Sequence, residues 1–321
     1  MKKIKLYIYP QAKAHEHDTN TSGLSNMLYN TVPFSEKGIQ NHCVLTSPEE
    51  ADYFYMGQFA NDFGELVRAR KSDFRYFAGN ESRHILDIDG EGGFEASNRP
   101  AIPFWLHKSI ITTMGPLKRY SNIEFLFTRP TFSHLLIDIV KNCDEDFNFP
   151  NRKSFGLRAF MNHKVRAATL VAMHKGNFEK EIHVNKKWEG LSPVGSSTQK
   201  QFIETMLNNS LSLCPRGSGI DSVRFLETCY FKRVPIVITD YDYCLFGEDE
   251  HDLSFCYKIH NTNMNPDFLL PELKKIYNTP IEELEERASA ARQYFDKTLR
   301  SYFADPTLYF LRWLERKNVK K

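Results

Sequence analysis

Ser212-Leu213-Cys214-Pro215-Arg216-Gly217-Ser218-Gly219-Ile220-Asp221-Ser222-Val223-Arg224-Phe225-Leu226-Glu227 reads as a strand, a glycine-bearing loop and the start of a helix. Gly217 and Gly219 carry no Cβ, so the backbone can come close to a ligand. Asp221 or Ser222 is the residue type that caps a helix by accepting from its first N–H groups. Such a terminus holds unpaired donors and a partial positive charge, a seat for phosphate. Arg216 and Arg224 are placed to add charge-assisted, bidentate contacts to a diphosphate. Ser218 and Ser222 offer hydroxyls to the same group, and Glu227, one turn on, can accept from ribose hydroxyls. The other reading of these residues is a structural turn with two solvated arginines, and spacing alone leaves both open. The loop lacks the G-K-[ST] ending of a P-loop and is not a G-x-G-x-x-G fingerprint.

The pattern around this stretch repeats strand and helix. Strands are predicted over residues 155–160, 210–214 and 234–239, with helices over 163–174, 198–208 and 222–232. Upstream, residues 4–9, 53–56 and 83–89 read as strands, with further candidates at 104–113 and 123–127. The alternation predicts an α/β layer fold with parallel sheets. Residues 142–153 are polar with Pro150 inside them and read as a linker. From Pro271 onward the chain reads as helical, with helices expected at about 280–302 and 306–317. A chain of 321 residues is long enough for two cores. Two domains are expected, at 1–150 and 151–300, with 301–321 as a C-terminal helix that packs back on the first.

Composition narrows the function classes. Lys plus Arg number 42 against 40 Asp plus Glu, a net charge of +2, so no global field for nucleic acid or an anionic membrane is expected. Any anion site must be local. No stretch approaches the ~20 apolar residues of a membrane-spanning helix, and the start has no cleavable leader pattern. The expected location is cytoplasmic, with at most peripheral membrane association. Six scattered cysteines, with no C-x-x-C pair, read as reduced and mostly buried thiols.

Pro215-Arg216-Gly217, then Ser222-Val223-Arg224-Phe225-Leu226-Glu227, then Val234-Pro235-Ile236-Val237-Ile238 resembles the exostosin-type glycosyltransferase family, whose pattern is a P-R-G loop, an R-F-x-E helix and a V-P-V strand. Ile4-Lys5-Leu6-Tyr7-Ile8-Tyr9 is similar to that family's opening strand, and Thr46-Ser47-Pro48-Glu49-Glu50-Ala51-Asp52-Tyr53-Phe54 to its T-x-x-P-x-x-A-D-x-F segment. His84-Ile85-Leu86-Asp87 falls where the family has a strand, and residues 160–166 loosely resemble the opening of its second domain. The resemblance implies a GT-B fold, two Rossmann-like domains facing across a cleft, with acceptor binding in the first and donor binding in the second. It implies inverting transfer from a nucleotide sugar, commonly a UDP-sugar, to an oligosaccharide or polysaccharide acceptor, with no essential metal or other cofactor. By position, Arg216 and Arg224 would meet the diphosphate and Glu227 the ribose.

An inverting transfer needs a base for the acceptor hydroxyl. Asp89 is the first candidate; Asp87 and Glu91 share its strand end and glycine loop, and His15 and His17 follow the first strand. Loop capping is the competing role for the carboxylates. Two D-x-D patterns, Asp87-Ile88-Asp89 and Asp240-Tyr241-Asp242, open an alternative: a metal-dependent GT-A-type transferase in which such a pair holds Mg or Mn. A third reading is a nucleotide- or glycan-binding module without turnover. Tyr241 and Tyr243 are candidates for the donor-sugar pocket or for core packing, and Lys186-Lys187-Trp188 for an anionic-glycan contact or a solvated charge run.

Overall fold

The computed structural model describes residues 3–10, 36–60, 70–89, 104–114, 123–129, 145–185, 197–217, 222–243, 245–248 and 250–317. They divide into two compact units, Met1–Phe132 with Ser301–Lys321, and Ser133–Arg300.

The first unit holds β1 (Ile4–Ile8), helix α1 (Glu36–His42), β2 (Cys43–Leu45), β3 (Tyr53–Ala60), β4 (His84–Asp89), β5 (Ile110–Met114) and β6 (Phe125–Arg129). Every neighbouring pair is parallel and the order is β2-β1-β3-β4-β5-β6. The central strands carry buried apolar runs, Tyr53, Phe54, Tyr55 and Met56 in β3 and Ile85 and Leu86 in β4, as expected of strands covered on both faces.

The second unit holds β7 (Phe155–Phe160), α2 (Lys164–Lys175), β8 (Lys180–Asn185), α3 (Ser197–Asn208), β9 (Leu211–Pro215), α4 (Val223–Tyr230), β10 (Val234–Thr239), β11 (Tyr257–His260), α5 (Pro266–Tyr277) and α6 (Ile281–Tyr294). Its sheet is parallel too, ordered β11-β10-β9-β7-β8. Every residue of β9 and β10 is buried. Pro235 is tolerated in β10 because pairing with β11 begins only at Ile236, so its missing N–H falls where the strand is flanked on one side.

After α6 the helix passes through a π-helical segment, Phe295–Leu299, into α7 (Arg300–Ala304), and α8 (Pro306–Arg316) follows. Asp305 caps α8 by accepting from Leu308 N and also meets His42 Nε2 at 2.7 Å. Phe310 and Trp313 set their rings edge-on to Phe127 of β6, so α8 is fastened to the first sheet.

The α/β class with two parallel-sheet units is therefore observed. Helix α1 and strands β2, β8 and β11 are additions to the sequence reading. The 104–113 candidate is a 3-10 turn at Phe104–Leu106 followed by β5. Four of the cysteines, Cys43, Cys214, Cys229 and Cys256, are free thiols, and burial pushes Cys214 up to about 11.

Candidate functional site

Both sheets have the doubly wound order 2-1-3-4-5 when strands are counted within their unit, and the first adds a sixth. In this order the chain runs outward in opposite directions from the first and third strands. The crevice beyond the carboxyl ends of those two strands is the topological switch point, where such sheets take ligands. In the second unit these strands are β7 and β9. The segments leaving them are 161–166 and 216–217, so the P-R-G loop singled out in the sequence sits at the switch point together with the first turn of α2.

Arg216 leaves β9 with its amide N–H donating to Ile238 O of β10 at 3.0 Å. Its side chain is buried. Nε donates to Asp240 Oδ1, Nη1 donates to Gly217 O at 3.0 Å, and the guanidinium lies over the Tyr241 ring at 4.6 Å. Asp240 takes a second cation, Lys164 Nζ, on Oδ2 at 3.0 Å. Burial alone would raise the Asp240 pKa; the hydrogen bonds from Arg216 and Lys164, with their charges, outweigh it and lower it.

Arg166, in the first turn of α2, comes against Gly217. A Cβ on Gly217 would collide with Arg166 Nη2, so only glycine leaves the arginine undisplaced. His163 caps α2, its Nδ1 accepting from Val165 N at 3.2 Å. That bond holds the ring as the neutral Nε2–H tautomer, and burial first, then the Arg216 charge, lowers its pKa. The field of Arg224 reaches Arg166: burial and then Arg224 pull Arg166 down to about 10.

Arg224 stands in the first turn of α4, its guanidinium 4.5 Å from the Phe202 ring centroid. Burial lowers its pKa against the opposing pull of Glu227, which is itself buried. Ser222 occupies the N-cap position with extended backbone but makes no capping hydrogen bond through its side chain, so the expected cap is absent there. Asp221 and Ser218 lie outside the described residues.

The acceptor-side candidates are less gathered. Asp87 lies inside β4, opposite Thr112 of β5, whose Oγ1 donates to its Oδ1; the carboxylate is buried in the sheet rather than in a loop. Asp89 is the last residue of β4, paired in register with Ala60. Glu91, His15, His17 and Lys186-Lys187-Trp188 lie outside the described residues.

Sequence reasoning passed over Arg166, Lys164 and His163. The signal was there: a His-Lys-x-Arg run at a helix start beside a strand end, the same grammar used to choose Arg216. Tyr243 is fully buried beneath Lys258, 4.9 Å above its ring, and belongs to the core; Tyr241 lies against Arg216. In the second D-x-D pattern Asp240 is held by two protein cations, and Asp242 faces Lys258 at 3.8 Å. Among the described residues no group of three or more His, Cys, Asp or Glu is placed to hold a metal ion, and no helix is long and apolar enough to cross a membrane.

These features define a two-unit α/β protein with a basic, glycine-lined crevice at the switch point of its second sheet. Comparison of the sequence with family models and with curated proteins gives no match. Among solved structures the chain is similar to a protein of Listeria monocytogenes assigned as a UDP-N-acetylglucosamine 2-epimerase, at 11% identity and TM-score 0.39, over 94% of this chain and 97% of that one. It is similar to an alpha1,3-fucosyltransferase at 8% identity and TM-score 0.40, over 89% and 81%. A glycosyltransferase from Rickettsia africae matches at 12% identity and TM-score 0.39, over 99% and 98%. At this distance the fold rests on the strand order of each unit and not on these likenesses.

Proposed function

We propose that the protein is a glycosyltransferase of the GT-B class that moves a sugar from a nucleotide sugar, in first place a UDP-sugar, to a glycan acceptor during polysaccharide synthesis in the cytoplasm. The observation that carries this reading is the meeting of Arg216, Gly217, Arg166 and Arg224 at the switch point of the second sheet. Cations around a glycine that admits close approach suit a diphosphate leaving group, whose negative charge grows in the transition state. Glu227, one turn behind Arg224, is our candidate for the ribose hydroxyls. The exostosin-type motifs fall on these same elements and support an inverting course.

Inversion requires a base opposite the leaving group. Asp89, at the carboxyl end of β4, is our first choice, followed by Glu91, Asp87 and His15. In the Asp240-Tyr241-Asp242 pattern the metal-dependent alternative would need Asp240 as a ligand, but its carboxylate already neutralises Arg216 and Lys164. A metal could bind there only by displacing them.

The test is a thermal-shift and donor-hydrolysis screen of UDP, GDP, CMP and TDP sugars, with and without EDTA. Stabilisation by one nucleotide that survives EDTA supports the reading and names the donor class. Dependence on Mn or Mg returns the D-x-D alternative. Nucleotide binding without turnover on any glycan acceptor leaves a binding module, and no response to any nucleotide ends the donor-site reading.

A further inference from the structure

The guanidinium of Arg166 has one nitrogen spent and, on the opposite edge, a nitrogen without a partner among the described residues. Nη1 donates to Phe160 O at 2.9 Å and to Asn162 Oδ1 at 2.9 Å. Phe160 ends β7 and Asn162 lies in the turn before α2, so the side chain is locked against the segment that leads into its own helix. Nε is withdrawn from solvent and has no hydrogen-bond partner among the described residues. A Cβ on Gly217 would lie over the face of the guanidinium, against Nη2 and Cζ, so the absent side chain at 217 is what leaves room for the arginine itself. Nε–H and Nη2–H leave the same edge of the planar group in parallel, the fork that grips a phosphate or carboxylate with two bonds. A buried N–H left unpaired carries its full desolvation cost, and an arriving oxyanion removes it.

Arg216 is in the opposite condition. Its Nε is committed to Asp240 and its Nη1 to Gly217 O. Those bonds orient the P-R-G backbone against β10 and hold Gly217 under Arg166.

We propose that Arg166 is a binding residue for the donor diphosphate, holding one phosphate through its Nε/Nη2 fork, and that Arg216 is a positioning residue that sets the glycine loop. The inference rests on the nucleotide-sugar reading of the same crevice. It reassigns the phosphate contact expected of Arg216 to a residue in the first turn of the helix that follows the neighbouring strand. A larger residue at position 217 would press on the guanidinium face and displace the arginine from this position.

The full chain is titrated calorimetrically with UDP and, separately, with inorganic pyrophosphate, as wild type and as Arg166→Ala, Arg166→Lys, Gly217→Ala and Arg224→Ala, each with its melting temperature. Arg166→Ala is expected to weaken both probes roughly ten- to hundredfold, the loss of a charge-assisted contact. Arg166→Lys keeps the charge without the fork and recovers only part of this. Gly217→Ala keeps the arginine but puts a methyl group in its place, weakens both probes, and decides the matter should Arg166→Ala not fold. If Gly217→Ala and a folded Arg166 variant bind both probes like wild type while Arg224→Ala does not, this inference falls and the donor-site reading stands. If the wild type binds neither probe and no other nucleotide, both fall.

Discussion

Asp240 and Arg216 face each other from the carboxyl ends of adjacent strands, with side chains 3% and 4% exposed, and Lys164 closes the second carboxylate oxygen at 3.0 Å. Deleting one partner of a buried pair strands the other charge, at a cost of about 3–5 kcal/mol. Asp240→Ala is therefore expected to lower the unfolding free energy of the second unit by that order at pH 7, measured by urea titration. The pH sign follows from the lowered Asp240 pKa. The pair's contribution is present above the unfolded aspartate value of about 3.9 and is lost as pH falls through the lower folded value. The gap between wild type and variant should close under acid; a gap independent of pH would mean the pair is not what the substitution removed.

Arg224 is held over Phe202 by a ring contact, and the bond from Thr228 Oγ1 goes to its backbone carbonyl. Arg224→Ala should then cost only the contact itself, about 2 kcal/mol for a cation–π contact withdrawn from water. Nucleotide affinity should fall roughly ten- to hundredfold by calorimetry, as for a lost charge-assisted bond. A variant that melts much earlier yet binds as wild type would make this arginine structural.

The sequence made the central strands legible because their apolar runs are continuous, as in Val234-Pro235-Ile236-Val237-Ile238, and turns with Gly or Pro bound them. The three strands it missed, β2, β8 and β11, are edge or near-terminal strands of three to six residues. Lys180-Glu181-Ile182-His183-Val184-Asn185 shows how little an edge strand needs to be apolar when one side has no neighbour to bury it. The site was legible where one loop carries glycine and arginine together. It was not legible where a charge from another strand's loop comes in, since only the 2-1-3-4-5 order brings Arg166 beside Gly217. The ion pair of Arg216 was illegible for the related reason that its counter-charge, Asp240, lies 24 positions away and is joined to it only by the pairing of β9 with β10.

Glu227 separates nucleoside from phosphate recognition. If it accepts from the ribose, Glu227→Gln should weaken UDP about tenfold and leave inorganic pyrophosphate unchanged. Equal loss of both ligands would assign it to holding Arg224 instead, since the two charges already interact.

For the acceptor side, Asp89→Asn should lower kcat by 10²-fold or more, the usual contribution of a general base, with UDP affinity intact. Asp87→Asn keeps the shape of a buried group bonded to Thr112 and should appear mainly in the melting temperature. Activity unchanged in Asp89→Asn moves the base to Glu91 or His15, each tested by the same single substitution.

His84 gives the first unit a pH dependence of its own. The ring is fully buried, with Nδ1–H donating to Asn80 O at 2.7 Å and Nε2 accepting from the Tyr9 hydroxyl at 2.8 Å. Burial lowers its pKa to about 4, against a backbone bond that pulls the other way. Protonation would put a second N–H against a hydroxyl already oriented to donate, and a charge among Phe54, Phe77 and Tyr9. The unfolded chain takes up that proton near 6.5 and the folded one near 4, so stability falls as pH drops through this window and is whole above it. The difference amounts to about 3 kcal/mol at 1.36 per pKa unit. His84→Gln should start less stable at pH 7 and show a flatter decline between pH 6.5 and 4 in chemical denaturation followed by tyrosine and tryptophan fluorescence. A variant with the same slope as wild type would place the acid sensitivity on other groups.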